Sequence, residues 1–178
     1  MTMFLKRPRQ FFRALFFKMT QDDLAMVNKY LNKDEKQLFF NMDPAIQKHC
    51  VNVAFTVQNM LKDRPGTDHG LLMKAALLHD IGKLRGSLTL MDRVWYVLVR
   101  KASRRLAEKL ARPGKGGFLA RLRYAFYIHI NHGEIGASIA QNSGLGEDLV
   151  FLLRHHHDQA MASRSVELAL LLLADELN

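Results

Sequence analysis

An apolar run, Ala75-Ala76-Leu77-Leu78, ends in His79-Asp80-Ile81-Gly82-Lys83. Residues 71–80 have the composition of a buried helix, and Gly82 would let the backbone turn away after it. A histidine and an aspartate side by side at the end of such a helix offer one nitrogen and one oxygen ligand to a single cation. A buried, unpaired Asp80 would cost several kcal/mol, so something positive is expected to face it. Local hydrogen bonding at a helix end accounts for the dipeptide equally well, and distant parts of the chain decide between the two.

Asp43-Pro44 sets a good N-cap before a proline at the first helical position. The helix it opens carries Ile46, His49, Val53 and Val57 on one face, so His49 is expected to point inward. Near the end of the sequence, Leu170-Leu171-Leu172-Leu173-Ala174-Asp175 places one carboxylate in an apolar run, where it needs a partner or a metal to stay ionised. His49, His79, Asp80 and Asp175 together make a four-ligand nitrogen and oxygen set suited to zinc, manganese, iron, cobalt or nickel.

The order His49, then His79-Asp80, then Asp175 resembles the H…HD…D signature of the HD-domain phosphohydrolase superfamily, and residues 75–83 resemble its most specific element. The resemblance runs over residues 43–178. It implies an all-α fold, a helical bundle around a metal centre, and metal-dependent hydrolysis of phosphomonoesters or phosphodiesters, often of nucleotides. His132-Gly133-Glu134-Ile135-Gly136-Ala137 is similar to the HPEIGA element of the histidine-rich, two-metal branch, with Gly133 where proline is usual. His155-His156-His157-Asp158 is similar to its HHE or HHHE element. Aligned from His132, the resemblance makes His156 and His157 the metal-binding pair, with Asp158 in the place of glutamate and His155 spare. Successive helical residues diverge by about 100°, so both rings reach metal only where the helix end frays or two ions lie side by side. His129 is a weaker candidate one turn before His132, His69 reads as a surface-loop residue, and Cys50 reads as a small buried hydrophobe in preference to a nucleophile.

On this reading the cofactor is one or two divalent transition-metal ions: Fe, Mn, Co, Ni or Zn. Asp80 would bridge two of them, one held by His49, His79 and Asp175, the other by His132, His156 and His157. A water between the ions would be acidified toward hydroxide for attack in line on phosphorus. Asp80 and Lys83 are the catalytic candidates; Lys83 and Arg85 are the substrate-binding ones, since cations directly after the motif can face a phosphate. Lys83 and Asp158 are candidates for protonating the leaving group. The glycine-tyrosine-proline motif of the HD-GYP cyclic dinucleotide phosphodiesterases is replaced by Gln159-Ala160-Met161-Ala162-Ser163, so cyclic di-GMP is not implied. Two other functions suit such a ligand set: an HD-like di-iron oxygenase, and a non-catalytic regulatory module. The latter is usually marked by the loss of ligands that this chain retains.

Around these motifs the periodicity is helical and no strand alternation occurs. Thr20 with Asp23 opens an amphipathic run through Leu24, Val27 and Leu31, and a short helix is expected over 34–41. Residues 88–111 read as one helical run, Pro113-Gly114-Lys115-Gly116-Gly117 as a turn, and a helix from Phe118 leads to His129 and His132. Residues 84–128 are thus expected to form a basic helical hairpin inserted between the two ligand groups. Further helices are expected over 134–141, ended by Gly144, over 147–158, and over 166–177, the last capped by Ser163 or Ser165. The organisation expected is a single HD-type domain over 1–178, with a helical extension at 1–42 and the HD core at 43–178.

The net charge is +9 and the pI about 9.9. Between residues 84 and 128 stand eleven Lys and Arg against Asp92 and Glu108 alone, an excess equal to the charge of the whole chain. A phosphorylated small-molecule substrate of nucleotide type and an anionic membrane surface are the partners this suits, with nucleic acid less favoured and a plain solvated face as the alternative. Trp95, Tyr96 and the Phe11-Phe12 and Phe16-Phe17 pairs would add anchors at a membrane surface. Cys50 is the one cysteine, so an intrachain disulfide is impossible. Lys6, Arg7, Arg9 and Arg13 interrupt the N-terminal apolar runs, and neither a spanning segment of about 20 residues nor a secretory signal is expected there. The expected location is cytoplasmic, with attachment to a membrane surface as a variant.

Overall fold

The computed structural model describes residues 19–83, 90–113 and 116–178; Arg85 and the Phe11 to Phe17 segment lie outside them. Among the described residues the regular elements are helices: α1 (Gln21–Tyr30), α2 (Lys33–Phe40), α3 (Pro44–Met60), α4 (His69–Leu78), α5 (Leu90–Ala102), α6 (Arg104–Leu110), α7 (Phe118–Asn142), α8 (Glu147–His155) and α9 (Val166–Leu177), with short 3-10 turns at Leu61–Asp63 and Gln159–Arg164. None of these helices is long and apolar enough to cross a membrane.

Helix α3 lies against α4, α7 runs along α8, and α9 closes on α3 and α4, while α5 and α6 pack on α7. One apolar core draws on α1 to α4 and α7 to α9, with Val27, Phe39, Val53, Leu77, Ala137, Leu153 and Leu171 fully buried. A second, smaller cluster joins Tyr96, Ala107 and Phe126, binding α5 and α6 to the first half of α7.

Helices α1 and α2 each begin with a capping box, Thr20 with Asp23 and Asn32 with Glu35. The capping carboxylates also reach across to the core helices: Asp23 pairs with Lys48 of α3 at 2.7 Å and Glu35 with Lys74 of α4 at 2.6 Å. Burial alone would raise the Asp23 pKa, but the Lys48 ammonium and the Thr20 backbone N–H outweigh it and hold the carboxyl below its ordinary range.

Several boundaries differ from those read off the sequence. Helix α2 starts at Lys33 because Asn32 accepts from the backbone of both Asp34 and Glu35. Helix α4 starts at His69, because Asp68 caps it by accepting from Leu71 N at 2.9 Å; His69 is exposed but belongs to the first turn of a helix, not to a loop. The same helix stops at Leu78, which leaves His79 and Asp80 in the turn that follows. The run expected over 88–111 is interrupted at Ser103, whose backbone is extended and whose hydroxyl accepts from Leu106 N to start a new helix. Conversely, α7 is continuous through 25 residues, with no separate helix at 134–141. Residues 118–128 are the leading half of the helix that carries His132.

Helix α7 tolerates Gly133 and Gly136, at about 1 kcal/mol each relative to alanine, because other backbone approaches them. A methyl group on Gly133 would lie 2.9 Å from the Arg154 carbonyl oxygen of α8, and one on Gly136 would lie 3.2 Å from Gly82 N. Gly82 lies in the turn after α4 as expected, but its backbone is not left-handed, so the turn itself does not require glycine. Any Cβ there would collide with the His132 carbonyl and stand 2.9 Å from Gly136 N. The turn after α4 lies directly on α7, and that contact sets the depth at which His79 and Asp80 meet His132.

Candidate metal centre

Five elements converge at one place. Helix α3 supplies His49, the turn after α4 supplies His79, Asp80 and Lys83, α7 supplies His132, the end of α8 supplies His156 and His157, and α9 supplies Asp175. Among the described residues, three sets of side chains have their potential ligand atoms mutually close: Asp80, His132, His156 and His157; His49, His79 and Asp175; and Cys50, His79 and Asp80.

The sets join at the two carboxylates. Asp80 Oδ1 is 3.3 Å from His132 Nε2 and 3.8 Å from His156 Nε2, while its Oδ2 is 3.8 Å from His79 Nε2. Asp175 Oδ1 is 2.9 Å from His49 Nε2 and 3.6 Å from His79 Nε2, and its Oδ2 is 3.7 Å from His157 Nδ1. His156 and His157 follow directly after α8, which ends at His155, so the 100° divergence of adjacent helical residues does not keep them apart.

Three of the rings are oriented by the same device. Nδ1 of His79, His132 and His156 faces the carbonyl oxygen three residues earlier, on Ala76, His129 and Leu153, at 3.0, 2.9 and 2.6 Å. A carbonyl can only accept, so each Nδ1 carries the proton and donates it. Burial, reinforced by the Lys83 charge at His132 and by the neighbouring imidazoles at His156, lowers both pKa values and keeps these two rings neutral. Their Nε2 atoms are therefore lone pairs, 3.1 Å apart.

Lone pairs aimed at each other repel unless a cation lies between them. Two imidazole nitrogens that bind one ion at about 2.1 Å, near a right angle, stand about 3 Å apart. The observed spacing fits that demand. Buried His79 Nε2 makes no hydrogen bond and looks onto the Asp80 and Asp175 oxygens, a second position where a cation would satisfy every group.

Asp80 is buried, which alone would raise its pKa, but Lys83, His79 and His132 outweigh burial and hold it well below the ordinary carboxylate range. Lys83 Nζ lies 2.7 Å from Oδ1 and 2.9 Å from Oδ2, so a lysine three residues on is the nearest positive charge to Asp80. Asp175 is also lowered: its own desolvation is outweighed by the hydrogen bond from His49 and the His79 ring.

A model of the HD domain family matches residues 46–178. The chain belongs to the HD domain family. Every member of the His and Asp cluster lies within the matched span, and an HD-type His and Asp cluster of this shape can hold divalent metal. None of the curated proteins and none of the solved structures compared with the chain matches it.

Of the remaining candidates, His155, Asp158 and His129 are engaged outside the cluster. His155 packs on Phe151, and Asp158 turns onto the backbone of Ala160 and lies 3.6 Å from His155. His129 contributes its carbonyl to His132, while its ring stacks on Tyr96 of α5 with centroids 4.2 Å apart and planes 4° from parallel. Nothing in the sequence pattern signalled that stack, since the partners are 33 residues apart and on different helices. Cys50 lies beside His79 and Asp80, but burial and then the Asp80 charge push its thiol well above its ordinary range, so it stays protonated.

Proposed function

We propose that this HD-domain chain is a metal-dependent phosphohydrolase that cleaves a phosphomonoester or phosphodiester of nucleotide type. The observation that carries the reading is Asp80: one buried, ionised carboxylate with His132 and His156 at one oxygen and His79 at the other. A carboxylate so placed is suited to two adjacent cations. His49, His79 and Asp175 would hold one of them, His132, His156 and His157 the other, with Asp80 shared. Bound divalent ions supply an acidified water and offset the charge of the phosphate.

The chain's own residues do the rest. The three carbonyl-bound imidazoles keep their lone pairs aimed, so little reorganisation is needed during reaction. Leu78 and Ile81, which flank His79 and Asp80 in the chain, and Leu153, whose carbonyl orients His156, are buried, and an apolar surrounding strengthens the electrostatics of the cluster. Lys83 Nζ, partly exposed and bound to Asp80, can transfer its contact to a substrate phosphate and can donate a proton to the leaving oxygen. Arg85 would be its companion at the phosphate. Asp158 is not placed for proton delivery, being exposed and committed to the Ala160 backbone.

Phosphate release is to be measured from phosphomonoesters, nucleotides, dinucleoside polyphosphates and cyclic dinucleotides, with Mn, Fe, Co, Ni or Zn, alongside elemental analysis of the protein. Turnover of at least one substrate is expected, with Asp80→Ala lowering it at least about a thousandfold. A metal-loaded protein that releases no phosphate from any of them sinks the reading; oxygen consumption in its place would point to the di-iron alternative.

A further inference from the structure

Helix α5 is apolar on two sides, and the described residues cover only one. Inward, buried Tyr96 packs on Phe126 and His129, and Asp92 is buried beside it. Outward, Trp95, Val97 and Leu98 are 45%, 57% and 54% exposed. Trp95, Leu98 and Ala102 follow at helical spacing along one stripe, with Val97 and Lys101 on the next. Arg100, Lys101, Arg104 and Arg105 are all exposed at the C-terminal end of this helix and the start of α6, where Leu106 is exposed as well.

We infer that this face docks on the surface of an anionic lipid bilayer, with Trp95, Val97 and Leu98 entering the boundary between headgroups and acyl chains and the four cations meeting anionic headgroups. The charge of the region favours a polyanion, since eleven cations stand against two carboxylates over residues 84–128. Nucleic acid would match the cations and could stack on Trp95, but it offers nothing to Val97 and Leu98; the bilayer boundary accepts both kinds of side chain. A second copy of the same face would bring like charge against like. At 13 residues, about 20 Å, α5 can lie in the plane of the interface and cannot span it.

The chain contains a single tryptophan, so its fluorescence reports this face alone. The full chain is to be mixed with vesicles of phosphatidylcholine, or of phosphatidylcholine with phosphatidylglycerol, and followed by flotation and by Trp95 emission. Binding is expected to the anionic vesicles only, weakening at least about tenfold with added salt, with a blue shift and quenching by brominated acyl chains. Leu98→Asp, at an exposed position, should leave the circular dichroism unchanged and reduce partitioning at least about tenfold; Val97→Asp is the second variant should it fail to fold. Leu173→Asp, at a similarly exposed position on α9, should have no effect. The inference is overturned by an absence of flotation at low salt, by flotation in which Trp95 stays unquenched or Leu173→Asp matters as much as Leu98→Asp, or by quenching with an oligonucleotide and not with vesicles.

Discussion

Gly82 shows how much one missing side chain can decide. Its position in the motif suggests conformational freedom, yet what the fold uses is its lack of bulk, since the His132 carbonyl and Gly136 N occupy the space a Cβ would need. Backbone cannot rotate away as a side chain can. Gly82→Ala is expected to cost about 2–3 kcal/mol, lowering the melting temperature by about 5–10 °C and reducing bound metal in elemental analysis; an unchanged melt would contradict the close packing. The buried imidazoles predict a pH dependence at the same scale. His132 and His156 are held below 6.5 chiefly by burial, and His157 is lowered to about 3 by desolvation and then by His132 and Lys83, although its exposed edge leaves solvent to screen part of that effect. In the unfolded chain these rings protonate as pH falls below about 6.5, so there the unfolded state binds more protons. The stability of metal-free protein should therefore fall as pH drops from about 6.5 toward 3. Asp80 and Asp175, lowered from 3.8, act in the same direction at the acid end. Urea midpoints of chelated protein should be lower at pH 5 than at pH 7.5 and level between 7.5 and 8.5; equal midpoints at 5 and 7.5 would mean that the rings are not buried in neutral form.

At the scale of elements, α1 and α2 are attached to the core by two carboxylates that also begin the helices. Removing the cation from one of them leaves a buried charge that still has to cap its helix. Lys48→Met is expected to destabilise the fold by about 3 kcal/mol, read by urea denaturation, and the double change with Asp23→Asn should recover part of the loss, because the uncompensated charge goes with it. A single change within about 0.5 kcal/mol of the parent would show the pair to be screened like a surface contact. Helix starts were legible in the sequence wherever a side chain caps its own backbone, as at Thr20 and Ser165. Interruptions and continuities were less so. Ser103 fits a helix interior as well as an N-cap, and Gly133 and Gly136 look like breakers until the backbone of α8 and of the motif turn fills the space beside them.

For the whole molecule, five elements meet at the His and Asp cluster, so bound ions would tie α3 and α9, and α7 and α8, to the turn after α4 that both ligand sets share. Metal at a hundred times its dissociation constant should add about 2.7 kcal/mol, a rise of about 5–10 °C in melting temperature for a chain of this size. A chelator should reverse the rise, and Asp175→Asn should abolish or greatly reduce it. A melt indifferent to Mn, Fe, Co, Ni and Zn would remove the metal centre, and the proposed hydrolase with it.

Read alone, the residues determined the helical class and singled out His49, His79, Asp80 and Asp175, because helix periodicity and caps are contacts within a few residues and buried polar groups in apolar runs need partners; His132, His156 and His157 stood out by their resemblance to the elements of a known family. His49 and Asp175 are 126 residues apart and meet at 2.9 Å, and no local pattern dictates which oxygen faces which ring. That was decided by packing: the glycine contact that seats the motif turn on α7, the early end of α8 that frees His156 and His157, and the cover that α7 gives to one side of α5 and not the other. Each of these depends on steric fit between surfaces that come together only after the helices have formed.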